Sequence, residues 1–306
     1  MIGRRVLVDN RKMLEKAQLL IREVTNLPTI PTIATRVAGL LDNPDVELEE
    51  VADLMLTDQV MASRVIKIVN SPLYKPMHEI GSLKRALIYL GLHRIRELTL
   101  TCSIIKAFEE ESGVFNIRTF WQHSFGVGIV SRIIAQRVRY PEPEKAYICG
   151  IIHDIGEVFL SSRMKEEFQR IVDLIKGTCH CFIDAEALML GTTHCEIGHC
   201  LAMKWNFPKD YRDVIAHHHA PDRAVLDPML VSIVNLADLF CSVRHLDYGG
   251  REWVSFNLAE ERSWEILRAY SPSLAGLDVE RFCFELDERV PEIKELVESI
   301  FEGIAG

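Results

Sequence analysis

The sequence has no apolar run near the ~20 residues that a membrane-crossing helix needs, so no span is expected. Its opening stretch, MIGRRVLVDNRKMLEK, lacks the apolar core and small-residue cleavage site of a secretory signal. Basic residues are the minority, 35 Lys and Arg against 44 Asp and Glu, for a net charge of −9. Without a dense basic face, a general role in nucleic-acid binding is not expected, nor is electrostatic docking on an anionic membrane. Low-complexity tracts and internal repeats are absent, and alternation of strand type is nearly so. Eight cysteines are present, but their spacing does not suggest a disulfide framework. With no signal, that usage points to free thiols in a reducing compartment, and hence to the cytoplasm.

What is there is an ordinary folded composition, 48% hydrophobic and 26% charged, over 306 residues. Disorder and collagen-like repeats are thereby excluded, and the length suits about two domains. The apolar spacing is helical almost throughout, so the expected fold class is all-α. Met61, Val65 and Ile68 form one stripe, with Thr57 as its expected N-cap and Asn70-Ser71-Pro72 as its stop. Leu83, Leu87 and Leu90 form another, ended by Gly91. Val127, Val130 and Ile134 line a third. The stretch Phe108-Glu109-Glu110-Glu111-Ser112-Gly113 is the best internal boundary, and Asp247-Tyr248-Gly249-Gly250 reads as a turn. The expected division is an N-terminal helical lobe over 1–115, a histidine-rich helical lobe over 116–246 and a helical extension over 247–306.

Nine of the eleven histidines fall within 118–245. His153-Asp154 follows the apolar helix of Ala146, Cys149, Ile151 and Ile152, which is expected to run on to Ile155-Gly156. A carboxylate there can bridge two ions while the imidazole binds one. His123 lies on the Val127 stripe, where a hydrogen-bonded core histidine competes with a ligand. His194 opens a helix behind the capping box Thr193-x-x-Glu196, where the helix dipole favours the neutral ring that metals bind. His217-His218-His219 closes the helix that Pro208 opens. Three consecutive rings cannot share one face, so at most two reach one centre. Asp238 follows the Asp227-Pro228 helix start, on a face with Val231, Val234 and Cys241. A carboxylate buried there needs a cation, a basic partner or a proton, and no Lys or Arg lies within one turn on that helix. Cys179-x-Cys181 and Cys195-x4-Cys200, with His199, offer a competing thiolate site. Their spacing is irregular, so the thiols are expected to be free and none to bind metal. Lys84, Arg85, Arg94 and Arg96 read as a solvated face, or as a docking surface for an acidic partner or nucleotide.

Taken in order, His123, His153-Asp154, His194, His218-His219 and Asp238 resemble the ligand series of the HD superfamily of metal-dependent phosphohydrolases. Leu27-Pro28-Thr29-Ile30-Pro31, Asn70-Ser71-Pro72-Leu73-Tyr74 and Ala86-Leu87-Ile88-Tyr89-Leu90-Gly91 resemble the first half of the HDOD domain, an HD-related output domain of bacterial signalling proteins. Gly150 to Gly156 and His218-His219-Ala220-Pro221 are similar to its second half. The resemblance covers about residues 20–245. It implies a two-lobed helical fold with a C-terminal extension, a signalling role and signalling protein partners. A nucleotide or phosphate ligand also fits it, without nucleic acid or membrane. It further implies one or two divalent ions, with Fe or Mn favoured and Zn or Ni compatible. His123, His153, Asp154 and Asp238 would hold the first ion, and Asp154, His194, His218 and His219 the second. The alternative is a metal-dependent phosphohydrolase, with Glu157 as its general base. The chain departs from HD-GYP relatives that cleave cyclic-di-GMP. Glu157 replaces their Lys, and Ala220-Pro221-Asp222-Arg223 replaces their glycine-rich loop, so that activity is not expected.

Overall fold

The computed structural model describes residues 10–23, 32–41, 43, 45–70, 74, 76–108, 114, 116–176, 181–244, 258–271, 274 and 276–305. The Leu27–Pro31 motif, Ser71–Leu73, the expected boundary at 109–113, Cys179 and the 247–250 turn lie outside them. Among the described residues there are helices and no strand. The helices are Asn10–Glu23 (α1), Thr32–Leu41 (α2), Leu48–Leu56 (α3), Gln59–Asn70 (α4), Leu83–Leu90 (α5) and Leu92–Phe108 (α6). There follow Ile117–Arg137 (α7), Pro143–Ile152 (α8), Ile155–Arg163 (α9), Lys165–Lys176 (α10), Phe182–Leu190 (α11) and His194–Lys204 (α12). Lys209–His217 (α13), Pro228–Val243 (α14), Arg262–Tyr270 (α15), Val279–Glu288 (α16) and Val290–Ala305 (α17) complete the chain.

Two compact units result. One comprises 28–110 and 289–306, the other 1–27 and 111–288. This grouping is not contiguous, unlike the division expected from sequence. Helix α17 packs on α4 in the first unit, and α1 packs on α12 in the second. The cause is apolar: Ala17 and Ile21 of α1 are buried with Phe159, Leu160, Ile197 and Leu201. A short helix is marginal in water until such a face is covered.

In the first unit, Leu83, Leu87 and Leu90 are buried as their spacing requires. Gly91 ends α5 at φ 78°, a left-handed value that suits glycine, and its N–H reaches the Leu87 carbonyl. Asn70 stops α4 and clamps the following loop, its Oδ1 accepting from Ile80 N at 2.7 Å and its Nδ2 donating to Ile80 O at 2.9 Å. The expected cap at Thr57 is corrected. Thr57 closes α3, its hydroxyl donating to Leu54 O at 2.6 Å. Asp58 starts α4 instead, accepting from Met61 N at 3.1 Å. Either residue type can cap, and position decides between them.

In the second unit, α7 lies along α8, and α14 lies along α7. Gly128 and Gly150 form the first crossing: a Cβ on Gly150 would fall 2.7 Å from Gly128 Cα. Gly156 and Gly198 form a second, between α9 and α12. These contacts bring backbones, and the side chains beside them, unusually close.

Candidate metal centre

Six helix segments deliver the candidate residues to one buried place. His123 projects from the middle of α7. The helix expected to continue through His153-Asp154 in fact ends at Ile152. His153 caps α8, and Asp154 is the residue before α9. The break turns both side chains inward instead of leaving them on diverging helical faces. His194 is the first residue of α12, behind the expected capping box, in which Thr193 and Glu196 bond reciprocally. His218 caps α13 and His219 follows it. Asp238 lies on α14, whose start is capped by Asp227 accepting from Leu230 N at 2.9 Å.

The seven residues foreseen from sequence converge. His123, His153, Asp154 and Asp238 each place one nitrogen or oxygen so that all four atoms lie within 4.8 Å of one another. His123 Nε2 is 3.3 Å from Asp238 Oδ1, and His153 Nε2 is 3.2 Å from Asp154 Oδ2. The other Asp154 oxygen faces the second group, with Oδ1 3.1 Å from His218 Nε2 and 3.5 Å from His194 Nε2. Asp154 thus stands between the groups, one oxygen toward each. His219 Nδ1 is 3.9 Å from Asp238 Oδ2. His217 turns away toward Asp213, so two of the three consecutive rings reach the centre.

The far nitrogens fix the ring tautomers. His153 Nδ1 lies 2.7 Å from Gly150 O, and His218 Nδ1 lies 3.1 Å from Ile215 O. A carbonyl only accepts, so each Nδ1 carries a proton and each Nε2 faces inward. His194 Nδ1 donates to Glu186 Oε2 at 2.7 Å, and the same oxygen accepts from His194 N at 3.0 Å. Glu186 was not foreseen, because only the fold brings α11 to the start of α12. Asn235 was also missed. It donates to His218 O at 2.7 Å and accepts from Ser263 at 2.7 Å. Asp213 ties the loop before α14 to α13, accepting from the N–H groups of Val225 and Leu226.

Cys195 stands beside these rings. Its Sγ is 3.4 Å from His194 Nε2, and with His194, His218 and His219 it forms a second cluster of donor atoms within 4.8 Å. A third cluster joins Asp154, Glu157 and His194. His199, by contrast, faces Arg212 O.

The local electrostatics favour positive charge. Burial works against the charged ring of His153, but Asp154 and Asp238 raise its pKa to about 10. Burial likewise opposes the Asp154 carboxylate, and the His153, His218 and His194 rings nevertheless hold it well below the usual range. His194 is pushed up by Cys195 and Glu186 against the effect of burial, while burial pulls His218 down. Two carboxylates in a dry pocket that retain protons on neighbouring rings would equally retain a cation. The donor set therefore fits divalent ions bound by imidazole and carboxylate.

The HDOD domain family matches residues 27–221. The chain belongs to the HDOD family. A solved HDOD domain protein of unknown function from Geobacter sulfurreducens is 37% identical, with a TM-score of 0.84 over 95% of this chain and 99% of that one. A structure from Shewanella amazonensis SB2B, provisionally named a phosphohydrolase, shares the fold at 23% identity. Its TM-score is 0.70, over 92% of this chain and 97% of that one. An uncharacterized protein of Treponema pallidum (strain Nichols) is 23% identical over 73% of this chain. The HDOD chain spans 43% of that relative's length. Among the described residues, no helix is long and apolar enough to cross a membrane.

Proposed function

We propose that this HDOD protein is a cytoplasmic signalling output module whose histidine-rich unit holds one or two divalent ions and whose outputs are contacts with signalling proteins. The observation that carries the reading is the convergence of four imidazoles on Asp154, with His219 and Asp238 beside them and three of the rings oriented by their far nitrogens. His123, His153, Asp154 and Asp238 would hold one ion, and Asp154, His194, His218 and His219 the other. Fe or Mn suits the mixed imidazole and carboxylate set best, and Zn or Ni is compatible. When bound, the ions supply charge neutralisation and Lewis acidity.

Burial favours signalling over turnover. The side chains of six of the seven residues are 0–1% exposed, and that of His219 is 20% exposed. A catalytic ion keeps an open position for water or substrate, and ligands this deeply buried leave little access to one. A second reading, a metal-dependent phosphohydrolase, draws on Glu157. Its buried carboxylate groups with Asp154 and His194, their donor atoms within 4.8 Å of one another, and is the base available to an attacking water. A nucleotide or phosphate ligand would then enter beside His219. Elemental analysis of the purified chain, joined to a panel of phosphodiesters and nucleotides, separates the readings. Bound metal without turnover supports the output module. Metal-dependent turnover lost in Asp154→Asn would establish the hydrolase instead. Protein that neither contains nor accepts Mn, Fe or Zn refutes both.

A further inference from the structure

The two halves of the centre are chemically unequal. The first offers two imidazoles and two carboxylates, a comparatively hard set. The second offers three imidazoles and a sulfur within 4.8 Å of one another, with Asp154 Oδ1 3.1 Å from one of the rings, His218. That sulfur belongs to Cys195, which is 3% exposed and sits in the first turn of α12. Its backbone N–H is held by Thr193 Oγ1 at 3.2 Å, inside the capping box. The neighbouring His194 is tied through both its backbone N–H and its ring to Glu186. The start of the segment carrying the thiol is thus fixed by two anchors. Among the described residues, no other cysteine joins a group of candidate donors. Cys241, one turn beyond Asp238 on α14, is equally buried yet belongs to none.

We propose that Cys195 is a thiolate ligand of the second ion, making that half of the centre a mixed imidazole, thiolate and carboxylate site for a thiophilic divalent metal such as Zn or Co. This rests on the reading that the unit holds metal. As the Sγ–metal bond forms, the thiol proton leaves to solvent, and no electron changes hands. The consequence is selectivity. A hard ion such as Mn prefers the first set, and a softer ion prefers the second, so one chain can hold two different metals.

The test uses the full chain, stripped of metal and reloaded with Zn or Co. X-ray absorption of the two-zinc protein should show one sulfur neighbour per two metals at about 2.3 Å. The cobalt protein should show a thiolate-to-cobalt charge-transfer band in the near ultraviolet. Cys195→Ser should abolish that band and weaken one of the two metal equivalents by about tenfold or more, as loss of even an outer partner does. Cys200→Ser and Cys241→Ser should leave it intact. Wild-type protein that binds two equivalents with no sulfur neighbour and no band overturns the assignment while leaving the metal centre standing. A band that survives in Cys195→Ser overturns it as well. If Cys195→Ser does not fold, the wild-type sulfur shell alone decides. A chain that takes up neither Zn nor Co overturns the metal centre itself, and this assignment with it.

Discussion

Gly156→Ala is the sharpest perturbation the structure offers, because it adds one carbon where two backbones touch. An ideal Cβ at Gly156 would lie 2.0 Å from His194 O, 2.8 Å from His194 C and 2.9 Å from Gly198 N. Ordinary carbon–oxygen contacts begin at about 3.3 Å, so the start of α12 would have to retreat by roughly 1.3 Å. Backbone cannot rotate away as a side chain can. Overpacking of this kind costs about 1–3 kcal/mol and occasionally more, and the upper end applies here. Replacing a helical glycine returns up to about 1 kcal/mol of propensity. The expected net loss is therefore about 2 kcal/mol or more. The retreat also carries His194 Nε2, now 3.5 Å from Asp154 Oδ1, away from its neighbours. Urea unfolding of the metal-stripped chain should report the stability loss, and elemental analysis after reloading should report loss of one metal equivalent. Gly39→Ala is the control, since a Cβ there meets nothing within 4 Å. A Gly156→Ala protein that unfolds like wild type and keeps both equivalents would refute the reasoning.

Three further outcomes are expected. Glu186→Gln keeps the size of the side chain but weakens its hold on His194 Nδ1, so affinity for one ion should drop about 10–100-fold in a competition titration; an unchanged affinity would show that the carboxylate does not orient the ring. Chelation should lower the melting temperature, because an ion bound only by the folded chain adds about 2.7 kcal/mol at a hundred times its dissociation constant; identical melts with and without chelator would contradict this. Burial opposes the Asp58 carboxylate, yet Lys106 at 2.8 Å and Met61 N–H keep its pKa below the ordinary value. A depressed carboxylate stabilises above its unfolded pKa of about 3.9, and that contribution fades as pH falls through the folded value. Asp58→Asn keeps the cap and removes the charge. It should cost at most ~1 kcal/mol at pH ~7 and nothing at pH ~2, and urea midpoints that differ equally at both would refute it.

Much of this was legible in the sequence because the relevant signals are local. Asp238 announces itself as a carboxylate on an apolar face. Thr193 and Glu196 spell out the start of α12 three residues apart. Leu83, Leu87 and Leu90 show which face of α5 is covered. What was missed depends on residues distant along the chain. Nothing near Glu186 says that it will meet His194, since that contact requires α11 to fold back on α12. Cys195 was paired by sequence with Cys200 and His199, whereas its neighbours in space, His218 and His219, come from another helix. The break between Ile152 and Ile155 was hidden for a different reason. Both sides are helical and apolar, and no Gly or Pro stands at the corner to mark it.

The order in which the donors occur along the chain has a kinetic side. His123 and Asp238 belong to the same four-atom group, yet they stand more than a hundred positions apart. Closing so long a loop is slow and entropically costly, and contacts of this kind retard folding. During synthesis the histidines at 123, 153, 194, 218 and 219 all emerge before the carboxylate on α14. Until that helix arrives, the nascent chain can offer only an incomplete set of donors. An ion captured at the first group would therefore report that the segment from α7 through α14 has been made and packed.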